Sequence, residues 1–269
     1  MAEVYFVESV KQPSDFGKYN EDGVWVPQDY TGTYGTNGFH LTFDSSQTNG
    51  IGHDSSGNGN NFTASGFDTA AISSSNPDND VDFNDTPTSN YATFNPLYPY
   101  PTASLSKANL RVDDSNGGYA PQTVASIKLD GKCYWEVIPT VAGTSYPYVG
   151  VTILDPTLSS NEVFQQSLYV AADGGGGNFG VSSSNNSFST GTVLGFAYDS
   201  SNRQLTVTYD GTNSQTFTAS GTAELAPMVA AAVNAGADVN YGQMPFLYTP
   251  PTGFSALQTN NLPEPTIKN

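Results

Sequence analysis

Short β-type runs that end in turn residues fill this 269-residue chain, and they constrain its fold more than any other feature. No window places apolar residues at i, i+3, i+4 and i+7 without an intervening cluster of Gly, Pro, Asn or Ser, so helices are not predicted. Alternating or β-branched runs instead recur at residues 38–43, 133–138, 148–154, 193–198 and 204–209. This pattern predicts an all-β fold, an antiparallel two-sheet sandwich of the jelly-roll type.

Two of these runs are joined in a way that also predicts their pairing. Residues 199–203 form a polar five-residue connection between the fourth and fifth runs, which suits a hairpin. Asp210 and Gly211 then supply a turn into a further run at 215–218. We therefore expect three consecutive strands to form an antiparallel meander.

The two ends differ in composition from the middle of the chain. Residues 1–35 carry Pro13, Pro27 and several glycines, which predicts an N-terminal arm or linker. Residues 36–248 are assigned to a single sandwich, because an all-β domain can occupy a chain of this length. Prolines recur in residues 249–269, which predicts an extended C-terminal tail.

Charge and residue counts exclude several classes of partner and site. The chain has 25 acidic and 8 basic residues, a formal charge of −17. Too few cations are present to form a nucleic-acid surface or to bind an anionic membrane. One cysteine and two histidines argue against a disulfide framework and a zinc site. No apolar run reaches the roughly 18 residues of a membrane span, so no membrane insertion is expected.

One acidic segment has the spacing of a calcium loop. Asp78, Asp80 and Asp82 stand at i, i+2 and i+4, which can bring carboxylates together on a hard cation. Phe83 and Ser89 occupy the positions where an EF-hand needs Gly and Glu, so that motif is not matched. The alternatives are a calcium site and a solvated acidic loop, and no other cofactor is expected.

Catalytic patterns are missing from the sequence, and no catalytic residue is predicted. There is no Gly-x-Ser-x-Gly elbow, and no strand has the Glu-x-Asp-x-x-Glu spacing of jelly-roll glucanases, so we expect a non-enzymatic protein. The glycine run between Asp173 and Asn178 lacks the Lys-Ser/Thr ending of a phosphate loop and is interpreted as a flexible loop. Trp135 is predicted to lie in the core between the sheets.

Aromatic residues beside turns are the strongest candidates for a binding site. Tyrosine rings can stack on the apolar face of a sugar, while Asp and Asn hydrogen-bond to its hydroxyl groups. The alternative is that these aromatic residues cap the sandwich or pack against neighbouring subunits. The candidate ligand-binding residues are Tyr98, Tyr100, Tyr146, Tyr148, Phe164, Tyr169, Asp173 and Asn178.

Several segments resemble known protein families. Residues 131–137, Gly-Lys-Cys-Tyr-Trp-Glu-Val, resemble the Gly-Lys-x-Tyr-Trp-Glu-Val strand of SPRY-type domains, and residues 149–151, 193–199 and 205–211 are similar to strands that follow it there. Residues 54–60, Asp-Ser-Ser-Gly-Asn-Gly-Asn, resemble a turn of laminin-G-like and other concanavalin-type jelly rolls. Residues 30–39, 90–97 and 240–254 resemble a recurring module of bacteriophage tail-fibre and appendage proteins, especially those of marine phages.

The resemblance implies a fold, a location and a role. It implies a SPRY- or concanavalin-like jelly roll in the virion, where the domain attaches a tail fibre or appendage to a glycan of the host surface. Other virion proteins and further copies of the chain are the expected partners, with a homotrimer as one arrangement. The alternative role is a structural capsid or tail decoration protein, and a glycan-cleaving enzyme is a remote third.

Overall fold

The chain is divided into two compact units. The computed structural model describes residues 3–21, 23–44, 47–65, 90–98, 104–114, 122–142, 147–155, 165–231 and 234–262. The first unit comprises Met1–Ala70 and Asn79–Asn90, and the second comprises Ala71–Asp78 and Tyr91–Asn269. The division falls near residue 90, whereas the sequence predicts a boundary near residue 35. Residues 36–65 therefore group with the N-terminal segment.

The first unit contains two small antiparallel sheets. Strand β1 (Val4–Phe6) pairs with β4 (Phe39–Leu41), and β2 (Gly17–Tyr19) pairs with β3 (Trp25–Pro27). A two-stranded sheet is only marginally stable by itself in water, so side chains must supply much of the stability. Contacts between aromatic rings supply part of this stability, with ring centroids between 4.1 and 6.5 Å apart. They join Tyr5, Phe16, Tyr30, Tyr34 and His40.

A buried carboxylate organises the turn that follows β4. Asp54 accepts backbone hydrogen bonds from His40 (2.9 Å), Ser56 (2.9 Å) and Asn60 (2.8 Å). Burial opposes ionisation of this side chain, but the hydrogen bonds outweigh it and lower the pKa of Asp54 to about 2. The segment that resembles the concanavalin-type turn is therefore built around an ionised aspartate.

The second unit is an all-β sandwich, as predicted. Among its described residues are fourteen strands: β5 (Ser104–Ser106), β6 (Arg111–Asp113), β7 (Gln122–Val124), β8 (Lys132–Val141), β9 (Tyr148–Ile153), β10 (Ser167–Ala171), β11 (Gly175–Asn178), β12 (Val181–Ser184), β13 (Leu194–Asp199), β14 (Gln204–Tyr209), β15 (Asn213–Thr218), β16 (Leu225–Ala230), β17 (Gly236–Asn240) and β18 (Ser255–Ala256).

These strands form one six-stranded and one eight-stranded sheet. The six-stranded order is β12-β11-β10-β9-β16-β7, and the eight-stranded order is β15-β14-β13-β8-β17-β6-β5 with β18 beside β8. The pairs within both sheets are antiparallel except β18 with β8, which is parallel. The meander predicted from the two turns is confirmed as β13-β14-β15.

The core lies between the two sheets, and Trp135 lies within it as predicted. The indole of Trp135 is fully buried and stacks on Phe196 of the neighbouring strand, with ring centroids 5.2 Å apart. The side chains on the same face of β13 and β14 include Leu194, Leu205 and Val207, all fully buried. Large side chains concentrated in the core compensate for a modest apolar content.

The central strands are buried on both faces, whereas the sequence predicts burial of alternate residues only. Strands β9, β13, β16 and β17 are buried along almost their whole length, and alternation survives in β14. The physical reason on the eight-stranded sheet is that residues 244–248 lie across its outer face, as described below. The tail also contributes, since Leu257 is buried and β18 pairs with Cys133 and Tyr134 of β8.

Within the described part of the chain, no helix has the length and apolar character needed to cross a lipid bilayer.

Candidate functional site

The outer face of the six-stranded sheet carries two of the predicted tyrosines side by side. In β9, Tyr148 and Gly150 share one face, while Val149 and Val151 point into the core. Tyr169 of β10 pairs with Gly150, so its ring lies on the same outer face as Tyr148. The two rings stack with centroids 4.7 Å apart and planes 22° from parallel. Both residues are partly exposed. Tyr148 is the first residue of β9, and Tyr169 is the middle residue of β10.

A glycine of the next strand allows Tyr169 to lie flat. Gly177 of β11 pairs with Tyr169, and a Cβ atom at this position would come within 2.6 Å of Cε1 of the Tyr169 ring. A side chain at residue 177 would therefore displace the ring. The glycine run predicted as a flexible loop is thus a strand, Gly175–Asn178, and that prediction is wrong.

Asp173 shapes the turn between β10 and β11. Its Oδ1 accepts a hydrogen bond from the backbone N–H of Gly175 (2.8 Å), and the Gly174 N–H donates to the Ala171 carbonyl (3.0 Å). Gly174 has φ +83°, which favours glycine. Asp173 itself is exposed. Its side chain is therefore at the end of the strand that carries Tyr169, and it also serves the turn.

Tyr98 belongs to the same face but is buried. It packs in a cluster with Val124, Ala226, Met228 and Ala230, against which Tyr148 and Tyr169 also pack. Tyr98 therefore supports the two partly exposed rings and presents little surface of its own.

Asn178 lies on the opposite face from the tyrosines. It pairs with Leu168, which points into the core, and its Nδ2 donates to the Thr218 carbonyl of β15 (3.3 Å). The structure thus brings together Tyr98, Tyr148 and Tyr169, places Asp173 at the end of their sheet, and separates Asn178 from them. The remaining predicted residues lie outside the described residues: Tyr100, Tyr146, Phe164, Asp78, Asp80 and Asp82.

The described residues contain no cluster of side chains suited to a metal ion. Across the described ranges, no three side chains of His, Cys, Asp or Glu converge as a metal ion would require. The calcium hypothesis concerns Asp78, Asp80 and Asp82, so it stays a prediction.

The outer face of the eight-stranded sheet holds buried carboxylates that the sequence reasoning did not single out. Glu136 of β8 accepts hydrogen bonds from the backbone N–H groups of Leu247 and Tyr248, both at 2.9 Å, and from the hydroxyl of Tyr134 (3.1 Å). Burial raises the pKa of Glu136, although these hydrogen bonds oppose the rise. Glu136 therefore fastens residues 244–248, here called the strap, onto the sheet.

A second carboxylate lies on the neighbouring strand. Asp238 of β17 has Oδ2 3.5 Å from Nζ of Lys107 and 3.8 Å from a guanidinium nitrogen of Arg111. Burial raises the pKa of Asp238 in spite of these two cations. Glu136 and Asp238 line a cavity of about 10 Å³, enough for one water-sized molecule, which Met244, Pro245 and Leu247 of the strap help to enclose. In the sequence, Glu136 and Asp238 could have been found as single acidic residues within strands that are otherwise mostly apolar.

The first unit presents a further aromatic pair that sequence reasoning missed. Tyr19 and Trp25 are directly opposite each other in the β2–β3 hairpin, with ring centroids 5.0 Å apart and planes at 76°. Both side chains are exposed, at 69% and 45%. Exposed tryptophan is unusual enough to mark a candidate binding surface.

Comparisons with known sequences and solved structures show no family for this chain. No family model matches the chain, and no curated protein sequence matches it. Among solved structures, the chain is similar to the SPRY domain of human HERC1, with 16% identity over 56% of this chain and 99% of that one and a TM-score of 0.48. It is also similar to the PSpry domain of TRIM65, with 19% identity over 55% of this chain and 89% of that one and a TM-score of 0.44.

A third similar structure is stonustoxin, with 19% identity over 55% of this chain and 27% of that one and a TM-score of 0.45. At these identities the likeness concerns the fold alone. The observed strand pairing by itself shows that the second unit is an antiparallel two-sheet β-sandwich.

Proposed function

We propose that this chain is a non-enzymatic adhesion domain of a bacteriophage tail fibre or appendage, and that it binds a neutral glycan of the host surface. The observation that carries the proposal is the stacked pair of Tyr148 and Tyr169 on the outer face of the six-stranded sheet. Both residues are partly exposed, and both pack against the buried cluster that contains Tyr98 and Met228. A preorganised aromatic surface loses little conformational entropy when it binds a sugar.

Charge favours a neutral ligand. The chain has a formal charge of −17, so an anionic glycan would be repelled at low ionic strength. Stacking on an aromatic ring does not need a charged partner, because it uses the apolar C–H face of a sugar. Such single contacts are weak, and several copies of the chain on one particle would raise the overall avidity.

The phage assignment is supported by the sequence resemblance. The segments at residues 30–39, 90–97 and 240–254 resemble a module of phage tail fibres and appendages, and they lie in both units. Virion location, homo-oligomers and contacts with other virion proteins are parts of the same proposal.

The enclosed carboxylates support a binding role over a hydrolytic one. A glycosidase needs two carboxyl groups that reach one glycosidic bond. Glu136 and Asp238 are each about 1% exposed, and Glu136 already accepts three hydrogen bonds. A polysaccharide would have to displace the strap before it reached either group.

A structural role in the capsid or tail is the second candidate, and one feature of the first unit favours it. Phe6 stacks on Phe39 (5.4 Å), and Phe39 contacts Phe62 edge-on (4.9 Å). Phe6 and Phe62 are each about half exposed. A row of three contacting phenylalanines suits burial against another virion protein.

Binding of the immobilised chain to a glycan array and to host envelope fractions tests the proposal. We expect binding that Tyr148→Ala weakens by about tenfold or more, since an aromatic anchor typically contributes over 1 kcal/mol. Val10→Ala is the matched control, because Val10 is exposed and lies in the first unit, not in the sheet that carries Tyr148. Tyr98→Ala would be less informative, since Tyr98 is buried. Absence of binding to every fraction, or equal binding by Tyr148→Ala, would refute the proposal.

A further inference from the structure

The β2–β3 hairpin has the geometry of a second small-ligand site. Trp25 lies against Gly17, where a Cβ atom would come within 2.6 Å of the indole atoms Cε2, Cζ2 and Nε1. The glycine therefore lets the indole lie flat on the strand, with its other face turned away from the backbone. Tyr19 stands beside it at 76°, so the two rings form an exposed corner.

The hairpin is held in place at both ends. In its turn, Asn20 accepts the Val24 N–H on its side chain (2.8 Å), and Asn20 and Val24 also share a backbone hydrogen bond of 2.9 Å. At its base, the Gln28 N–H donates to the Phe16 carbonyl (3.0 Å). Phe16 in turn stacks on Tyr30, with centroids 5.2 Å apart. The corner is thus fixed to the aromatic core of the first unit.

Size and charge determine the class of ligand that this corner suits. An aromatic side chain buries about 150–250 Å² when covered, so two rings exposed by roughly half offer on the order of 200 Å². A stable protein interface needs about 800 Å² from each partner, so the corner is too small to hold a protein by itself. Lys18 alternates with Tyr19 along β2, so its ammonium lies on the opposite face of the hairpin. Lys18, the cation among the described residues of this hairpin, therefore does not face a ligand bound in the corner.

We infer that Tyr19 and Trp25 form a second binding site, which takes one pyranose ring of a neutral saccharide on the open face of Trp25 with Tyr19 as its side wall. The inference rests on the proposed function for its ligand class, but it assigns a different surface on the other unit. Two weak sites on one chain would add to avidity wherever one glycan reaches both.

The two tryptophans of the chain make the test specific. Trp135 is fully buried in the sandwich, so only the indole of Trp25 can respond directly to a sugar. In ¹⁵N-labelled full-length chain, the two indole N–H resonances are assigned with Trp25→Phe. They are then followed during titration with maltose, cellobiose, lactose and chitobiose to about 100 mM, which saturates a millimolar site. Saturation-transfer signals of the sugar protons report binding anywhere on the chain.

The expected result is a saturable shift of the Trp25 resonance with at least one sugar, while the Trp135 resonance stays in place. Tyr19→Ala should weaken that titration at least about fivefold, a change of about 1 kcal/mol, and Leu97→Ala should leave it unchanged. Both residues changed here are exposed, so loss of folding does not complicate the result.

Four outcomes would count against the inference. One is saturation transfer to a sugar with no movement of the Trp25 resonance, which would leave the proposed function intact at another surface. The second is an unchanged titration in Tyr19→Ala. The third is a shift with choline chloride and none with any sugar, which would indicate a cation site. Absence of any sugar signal would count against both this site and the proposed function.

Discussion

Replacement of Asp54 by asparagine should loosen the turn that resembles the concanavalin-type motif. The carboxylate of Asp54 uses Oδ1 for the N–H groups of His40 and Ser56 and Oδ2 for that of Asn60. Asparagine has the same shape but only one oxygen. Whichever way its amide turns, at least one backbone N–H then faces an NH₂ group and loses its acceptor.

The size of the effect follows from the pKa of the carboxyl group. A lowering from the ordinary value of 3.8 to about 2 corresponds to roughly 2.5 kcal/mol in favour of the folded first unit, at about 1.4 kcal/mol per pKa unit. Because the folded-state pKa is depressed, this contribution is fully present above about pH 4 and is lost as the pH falls toward 2. Asp54→Asn should therefore differ most from the native chain at neutral pH.

Amide hydrogen exchange measures the loss of stability at this turn. We expect the amides of His40, Ser56 and Asn60 to exchange about 60-fold faster in Asp54→Asn at pH 7 and at nearly the native rate near pH 2. Asp29→Asn is the matched control, an exposed aspartate of the same unit, and should change stability by less than about 0.5 kcal/mol. Equal protection in native and Asp54→Asn chains at pH 7, or a difference that persists at pH 2, would refute the reasoning.

Three further changes test the second unit. Glu136→Gln removes an oxygen that accepts a backbone hydrogen bond from the strap, so it should lower the free energy of unfolding by about 1–3 kcal/mol in denaturant melts. Glu224→Gln is the control and should have a smaller effect, because Glu224 is exposed and its ion pair contributes about 0–1 kcal/mol. Equal losses in the two variants would contradict the role of Glu136 in holding the strap. Gly177→Ala should cost about 1–3 kcal/mol by overpacking against Tyr169 and should weaken glycan binding, whereas Gly175→Ala, where the new Cβ would be 3.0 Å from an Asp173 oxygen, should do less. Burial raises the pKa of Cys133 to about 11, so iodoacetamide at pH 8 should modify the folded chain about 100-fold more slowly than the denatured chain, and equal rates would be inconsistent with the burial.

The periodicity of the sequence was sufficient to predict the sandwich, because strand alternation and turn chemistry are local properties. The runs around Trp135, Val151, Phe196 and Val207 all became strands of the two sheets. The meander followed from two turns whose residues specify their geometry.

The predictions failed where distant residues decide the structure. The glycine run after Asp173 reads as a loop, but it pairs on both sides with strands that contain Tyr169 and Ser182. Likewise, nothing local shows that Ser255 and Ala256 would pair with β8, or that Glu136 would bind the backbone at residues 247 and 248. Long-range pairing of this kind has no signal in a single sequence window.

The candidate site was predicted in part. Aromatic content beside turns selected Tyr98, Tyr148 and Tyr169; the strand register brought Tyr148 and Tyr169 to one face of the six-stranded sheet, and Tyr98 packs in the cluster beneath them. The same reasoning included Asn178, which the two-residue period places on the other face. It missed Tyr19 and Trp25, because their segment was interpreted as an arm. That Tyr19, Trp25 and Gly17 lie on one face of the hairpin becomes clear only when the pairing of β2 with β3 is known.

Reversible binding of a neutral glycan without cleavage can be tested by size-exclusion chromatography of the chain with a purified host-surface polysaccharide. We expect the polysaccharide to co-elute with the native chain and not with Tyr148→Ala. After removal of the protein, the polysaccharide should have its original length. Failure of the native chain to co-elute, or a shortened polysaccharide, would refute the proposed function.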